Sequence, residues 1–404
     1  MTTNLRESGH GQGAMPKGVW VLGFVSLLMD ISSEMIHSLL PVYLVTVLGA
    51  SALLVGLIEG VAESTTMVVK VFSGALSDSL GKRKALAVFG YGLGAVSKPF
   101  FAIAGSPGMV FGARFVDRIG KGIRGAPRDA LVADLVRPEA RGAAYGLRQS
   151  LDTVGAFSGP LLAVGLMLLW ANDFQAVFWV AVIPAVLAVI LLFFGISEPE
   201  SPGHSRVRKP IDWRAFRSLH ADYWWVVGIG GAFALARFSE AFLVLRVQQT
   251  GLSVAWAPLV LIAMNLVFAV SAYPFGKLSD RVSHTRLLFL GLAILIAADL
   301  FLALGDTWQT LLPGILLWGL HMGMTQGLLA TMVAATAPAG LRGTAFGIFS
   351  LISGITTLVA SVLAGWLWDS QGVAFPFYAG AVFAAAAMVL MVIKKENSNA
   401  RAVG

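Results

Sequence analysis

Long apolar stretches separated by short polar ones run the whole length of the chain. AVFWVAVIPAVLAVILLFF, residues 176–194, holds no charged side chain, and comparable runs recur throughout. A bilayer core of ~30 Å is crossed by about 20 apolar residues in helical form, so the pattern predicts twelve membrane-spanning helices. They fall near 18–43, 52–74, 84–104, 107–127, 143–170, 174–196, 222–247, 253–275, 285–304, 308–334, 343–368 and 374–394. A β-barrel is the other way to cross a bilayer, but it needs roughly ten-residue segments of alternating polarity, which these runs are not. The fold class is an all-α membrane protein of twelve transmembrane helices.

Composition agrees with the pattern. Charged residues are 13% of the chain, where soluble domains carry about a quarter, and the mean hydropathy is +0.77. The 45 glycines and 16 prolines would break long helices in water. In a bilayer, small residues let helices approach and neighbours re-satisfy freed backbone groups, so they do not weaken the assignment. Absence of cysteine removes disulfides, thiolate metal sites and cysteine nucleophiles. The polar start, MTTNLRESGHGQGAMPKG, precedes an apolar run too long for a signal-peptide core and without a clear small-residue cleavage site, so it reads as an uncleaved first span.

The net charge of +7 is placed unevenly. KRK at 82–84, Arg137, Arg141, the segment SRVRKPIDWRAFR, Arg281, Arg286, Arg342, Lys394 and Lys395 all lie in loops on one side. The opposite loops, LGAS, AGSPG, ANDFQ, QQTGLS, GDTW and DSQG, contain no Lys or Arg. Positively charged loops stay in the cytoplasm, so both termini are expected there, in a multi-pass protein of the inner (cytoplasmic) membrane. The basic balance thus reflects topology, and no nucleic-acid partner is expected. IDWRAFRSLH alternates aromatic and basic residues as an interfacial helix would.

The chain also repeats itself. GALSDSLGKRK, Gly74 to Lys84, is echoed by GKLSDRVSHTR, Gly276 to Arg286. RPEARGAAYG, from Arg137, is echoed by APAGLRGTAFG, from Ala337, with Arg141 and Gly142 matching Arg342 and Gly343 at an offset of 201 residues. Ser33 and Glu34 match Ser239 and Glu240 once a gap is allowed. Two parallel repeats about an axis along the membrane normal are the expected outline. The expected units are a cytoplasmic tail 1–17, a six-helix bundle 18–196, a cytoplasmic linker 197–221, a second bundle 222–394 and a tail 395–404.

Gly74-x-x-x-Asp78-x-x-Gly81-Lys82-Arg83-Lys84 resembles the loop 2–3 signature of the major facilitator superfamily, and lies where that family carries it. The second copy keeps Gly276, Asp280, Arg281 and Arg286, with Ser283 where the second Gly stands. The resemblance implies two six-helix bundles and alternating access by rocking of one against the other. Physically, Gly74 permits close packing, Gly81 a tight turn, and Asp78 at a helix terminus can accept bonds from a neighbouring helix's amides or from an Arg. Gly74, Asp78, Gly81, Arg83, Asp280 and Arg281 are therefore expected to form a cytoplasmic latch. Arg118-Ile-Gly-Lys121-Gly122 resembles the superfamily's Arg-x-x-x-Gly element, associated with proton coupling, although Arg124 stands where a further Gly is usual. Gly155-Ala-Phe-Ser-Gly159-Pro160 is similar to an element common in drug and proton antiporters; the glycines permit close helix packing and Pro160 a bend.

The ionisable groups within the first-half spans include ten whose spacing is informative: Asp30, Glu34, Glu59, Glu63, Arg114, Asp117, Arg118, Lys121, Arg148 and Asp152. Against lipid, at ~2.5 to 3.5 kcal/mol each, they would cost about 25 to 35 kcal/mol, more than the ~5 to 15 kcal/mol that holds a protein folded. Their spacing shows how lipid is avoided. Asp30, Ser33, Glu34 and His37 recur at helical period, as do Arg114, Asp117, Arg118 and Lys121; Glu59 with Glu63 and Arg148 with Asp152 are one turn apart. Four polar stripes are expected to converge on one aqueous chamber. The second half is poorer, with Arg237, Glu240 and Arg246 on span seven and Asp299 on span nine.

Proton coupling needs a carboxyl that loses its proton in one state and regains it in another. Asp30 and Glu34, near mid-span and one turn apart, repel when both are ionised and are the leading candidates, with Glu63 third and Arg118 beside them. His37, Asp117, Lys121, Asp152, Arg237 and Glu240 are expected to line the substrate cavity. Glu34 with His37 could touch a metal, but two ligands are too few for a site. Phosphate-loop, HExxH and nucleophile-elbow patterns are absent from the sequence, so neither ATP-driven work, enzyme catalysis nor a cofactor is expected. The expected partners are a small-molecule substrate, protons and the bilayer, with one chain sufficient. Three functions remain in view, in this order: a proton-coupled antiporter exporting a small amphipathic compound, a proton symporter importing an anionic or zwitterionic metabolite, siderophore or peptide, and a non-transport role such as sensing.

Overall fold

The computed structural model describes residues 15–80, 82–198, 219–279, 281–338 and 341–403. Among them the regular structure is entirely helical. The first half runs α1 (Lys17–His37), α2 (Leu40–Thr46), α3 (Ala52–Leu80), α4 (Arg83–Ala102), α5 (Pro107–Asp134), α6 (Arg141–Leu169) and α7 (Phe174–Gly195). The second runs α8 (Ala221–Ala236), α9 (Ala241–Gln248), α10 (Pro258–Ser279), α11 (His284–Leu304), α12 (Trp308–Thr336), α13 (Arg342–Gln371) and α14 (Phe375–Val403). With α1–α2 and α8–α9 each taken as one span, ten spans are long and apolar enough to cross a bilayer by length and composition. The charged α5 and the apolar α12, which holds no Asp, Glu, Lys or Arg, complete the twelve. Most of the segment 197–221, including nearly all of the IDWRAFRSLH stretch, lies outside the described residues.

Spans one and seven, expected as continuous, are each broken. In the first, Ser38 and Leu39 separate α1 from α2, whose first turn holds Pro41; its ring clashes with the carbonyl four residues back and it has no N–H to give. In the seventh no proline is present. Arg237 leaves helical geometry at φ −122°, ψ 80°, and Glu240 restarts the helix as the residue before α9. Breaking a membrane helix frees backbone groups that must find partners. One is met by α13: the Ser239 N–H donates to Ser361 Oγ at 3.2 Å.

The helix starts keep the half-chain register. Ser106 caps α5 by accepting from the Met109 N–H, and Thr307, 201 residues later, caps α12 by accepting from the Thr310 N–H. Within the first half α1 packs on α6 and α7, α4 on α5 and α7, and α3 on α5. Within the second, α11 packs on α12 and α14, α10 on α12, and α8 on α13 and α14.

The two halves meet chiefly through α3 and α13. Asp369, near the end of α13, takes the first two amides of α3: the Ala52 N–H donates to Oδ1 at 3.0 Å and the Leu53 N–H to Oδ2 at 2.8 Å. Below this cap the helices touch through glycine. A methyl on Gly56 would collide with the Ser361 carbonyl, and one on Gly60 would stand 3.0–3.2 Å from Leu358. Further along the contact slackens, with the nearest α3 atoms 3.5 Å from a methyl placed on Gly354. The end that carries Asp369 is shut.

Candidate functional site

The four first-half stripes face one another. Buried Arg114 on α5 donates to Glu59 Oε2 on α3 at 2.7 Å. His37 on α1 bridges two acids, with Nδ1 3.4 Å from Glu34 Oε2 and Nε2 3.6 Å from Glu59 Oε2. Arg118 Nη1 lies 3.2 Å from Glu63 Oε1, whose side chain is 36% exposed. Lys121, one turn along the same face of α5, is exposed although it sits deep in a spanning helix, so it fronts open space. On α6, Arg148 donates to Asp152 Oδ2 at 3.3 Å and to Gln149 Oε1 at 2.7 Å.

Asp30 differs from the other acids. Its carboxyl faces that of Asp152, with Lys121 and Glu34 the next charges around it. Among the described residues no cation lies within ion-pairing distance of Asp30, whereas Asp152 has Arg148 at 3.3 Å and Arg128 at 3.9 Å. The two leading candidates therefore have different company: Glu34 is turned to His37, and Asp30 to Asp152.

The glycine element explains how this turn of α1 is held. A methyl on Gly155 would stand 2.6 Å from the Leu27 carbonyl oxygen and 3.0 Å from Asp30 Cβ; one on Gly159 would stand 2.8 Å from Glu34 Cβ and 2.8 Å from the Ile31 carbonyl oxygen. Gly155 and Gly159 thus seat α6 directly on the turn of α1 that carries Asp30 and Glu34, and buried Pro160 follows inside α6. Gly74 has no such role, since a methyl there would meet only Ala126 Cβ at 3.6 Å, an ordinary contact.

Asp117 stands behind the chamber wall. It is buried and accepts from Lys98 Nζ on α4 at 2.8 Å; the same ammonium donates to Ser33 Oγ on α1 at 3.1 Å. Arg118 Nε is 3.8 Å from its other oxygen. Lys98 escaped the reading by helical period because it has no charged neighbour on its own helix. Arg124 lies over the Tyr91 ring, 4.9 Å from the centroid, and Arg128 donates to Ser26 Oγ at 3.3 Å. These cations extend the first-half network beyond the ten groups counted from sequence.

The second half contributes the α8–α9 break. Arg237 and Glu240 are half-buried there and make no ion pair among the described residues. Their nearest charged company includes Glu63 for Arg237, and His37, Glu34 and Glu63 for Glu240. The break therefore faces the α1–α3 acids across the chamber. Behind it Phe238 packs on Phe242, Trp318 and Phe377 with ring centroids 5.4–5.6 Å apart. Among the described residues no three His, Asp or Glu side chains come together as a metal ion would require.

Of the expected latch, Arg83 binds Asp134 and also donates to the Ala130 carbonyl at 3.4 Å, both on α5. Arg281 is exposed. Gly81, Asp280 and the Asp78 side chain lie outside what is described.

The family model for the Major Facilitator Superfamily matches residues 22–338 and 241–403. An uncharacterized MFS-type transporter of Methanocaldococcus jannaschii is 30% identical over 373 residues, spanning 90% of this chain and 92% of its own. The multidrug resistance protein MdtH of Edwardsiella ictaluri is 26% identical over 367 residues, 88% of each chain. Among solved structures, the nucleoside transporter NupG superposes with a TM-score of 0.77 over 93% of this chain and 98% of its own, at 12% identity, a likeness of fold alone.

Proposed function

Because the chain belongs to the Major Facilitator Superfamily and is a multi-pass membrane transporter of that family, we propose that it is a proton-coupled antiporter exporting a small amphipathic compound. The observation that carries this reading is the Asp30–Asp152 carboxyl pair, set at mid-span on the glycine-seated contact of α1 with α6 and left without a cation on Asp30. Two carboxyls facing each other are relieved by one proton. A cationic head group entering the chamber competes for the same charge, so that proton and substrate exclude one another. That exclusion, combined with alternating access, is antiport: the proton arrives from one side, leaves when substrate arrives from the other, and neither leaks.

Glu34, Glu63 and Arg118 act beside this pair, with His37 relaying charge between Glu34 and Glu59. Lys121, Arg237 and Glu240 line the path of the substrate, and Asp117 holds the wall through Lys98. The names of the multidrug resistance relatives support the export direction. The loop charges support an inner-membrane location with both termini in the cytoplasm. Each wall of the chamber comes from the same chain, so one copy suffices.

One observation favours a second reading, symport of an anionic or zwitterionic metabolite: Lys121 and Arg237 stand on opposite walls with no ion pair among the described residues. The two are separated in proteoliposomes by imposing a pH gradient and offering cationic and anionic compounds in turn. Export of a cation against proton entry supports antiport; accumulation of an anion with proton entry supports the second reading. Asp30→Asn is expected to abolish gradient-driven movement while substrate-for-substrate exchange persists. If Asp30→Asn and Glu34→Gln both leave proton-coupled flux intact, the proton site is wrong.

A further inference from the structure

The half-chain offset of 201 residues carries Lys98 onto Asp299 and Asp117 onto Trp318. In the first half these positions hold a buried ion pair, Lys98 with Asp117 at 2.8 Å, placed just behind the α1 wall. In the second half the carboxyl stands at the amine's position and an indole at the carboxyl's. The acid is present and its cation is missing.

Asp299 is fully buried, and neither carboxyl oxygen has a hydrogen-bond partner; the Trp318 N–H and His321 Nε2, also fully buried, have none either. Unsatisfied groups of this kind are rare in native interiors and point to something that binds there. An ionised carboxylate left alone at this depth costs several kcal/mol, so it is not a resting arrangement that packing alone would select.

The surroundings say where a ligand would come from. A methyl on Gly380 of α14 would stand 2.6 Å from Asp299 Oδ2, 3.2 Å from the Phe238 ring and 3.3 Å from the Ala236 carbonyl oxygen. Carboxyl and carbonyl therefore converge on the same side of Gly380. Ala236 is the last residue of α8, and its carbonyl stands at the negative end of that helix, released by the break. Arg237 and Glu240 of the same break front the chamber, so the Ala236 carbonyl is one residue behind the substrate path. Among the described residues, none of the charged or titratable groups on the elements packed around Asp299 bonds to it. His321 of α12 has Nδ1 2.7 Å from the Gly291 carbonyl oxygen. Arg246 of α9 donates to the Leu302 and Gly305 carbonyls. Arg237 and Glu240 face the first half, and α14 presents Gly380 and Phe377.

We propose that Asp299, with the Ala236 carbonyl at the broken end of α8, is a second ion-binding site, taking a small monovalent cation, a proton or sodium, where the first half uses its own Lys98. Occupancy neutralises the carboxyl and fixes the α8–α9 break, which links the ion to the substrate wall. The site stands apart from Asp30 and Asp152, and its test needs no substrate.

Purified protein is compared with Asp299→Asn, which keeps the shape and removes the charge, and with the double variant Asp299→Lys plus Trp318→Asp, which rebuilds the first-half pair. Acid–base infrared difference spectra and melting temperature in sodium against choline chloride at equal ionic strength are recorded. For a proton, wild type shows a carboxylic-acid band that Asp299→Asn loses. For sodium, wild type melts higher in sodium and both variants lose the shift. If the wild-type band and sodium response are both unchanged in Asp299→Asn, Asp299 is an unliganded packing residue and the proposal falls, whatever becomes of proton antiport at Asp30.

Discussion

The first and second halves share a scaffold and differ in what fills it. Tyr43 of α2 donates to the Ala104 carbonyl at 2.7 Å; in the second half Arg246 of α9 reaches the Gly305 carbonyl, 201 residues on, at 2.6 Å. Gly90 meets Gly120 with almost no space between their helices, whereas the matching Gly291 accommodates His321 and Thr325. Backbone geometry is held at equivalent places while side-chain chemistry is free to diverge. Divergence went one way: the first half became an ion network and the second an aromatic wall with Asp299 buried behind it. A rocking pair of bundles needs only one wall to carry the charge that selects and couples, and the other can serve as an apolar counter-surface.

The strongest way to break this comparison is to remove a first-half cation. Lys98→Met leaves Asp117 buried and largely uncompensated and is expected to cost about 3–5 kcal/mol, read as a large fall in melting temperature in detergent. Asp117→Leu added to Lys98→Met is expected to restore much of it, because replacing a whole buried pair by apolar groups is close to neutral. A harmless single variant would mean that the network is ornament.

Next in size is the matched pair of carbonyl clamps. Arg246→Met strands two carbonyls that a charged donor had served and is expected to cost about 1.5–3 kcal/mol, against about 1 kcal/mol for Tyr43→Phe. Equal losses would show that the two halves are more alike at this point than their residues suggest. The smallest effect belongs to the seam between the halves. Asp369→Ala removes the cap on α3 and is expected to weaken the shut end by about 0.5–2 kcal/mol, seen as longer distances between spin labels on the facing ends of α3 and α13. The chain has no cysteine, so labels go only where they are introduced. Unchanged distances would move the gate elsewhere.

Much of this was legible in the sequence, for physical reasons. Twelve spans follow from length and polarity, and the repeat from spacing. The stripes on α1, α3, α5 and α6 follow from the helical period, because charges that must leave lipid line up on one face. Lys98 was not legible: a single cation before Pro99 makes no stripe, and only the offset to Asp299 hints at it. Asp369 read as a loop residue because its partners, the Ala52 and Leu53 amides, lie in the other half. The break after α8 carries no proline; its cause is tertiary, the Ser361 hydroxyl that takes its freed N–H and the aromatic cluster around Phe238.

The account depends on the buried charges bordering a wet chamber that is shut at the Asp369 end. Single cysteines at Lys121 and Arg237, compared with one at Val186 on the exposed apolar face of α7, test it with a membrane-impermeant thiol reagent applied to each side of oriented vesicles. Labelling of the first two from the side of Lys82 to Lys84, slow labelling from the other side and none at Val186 is the expected result. Protection of Lys121→Cys and Arg237→Cys from both sides, as for the lipid-facing position, would contradict it.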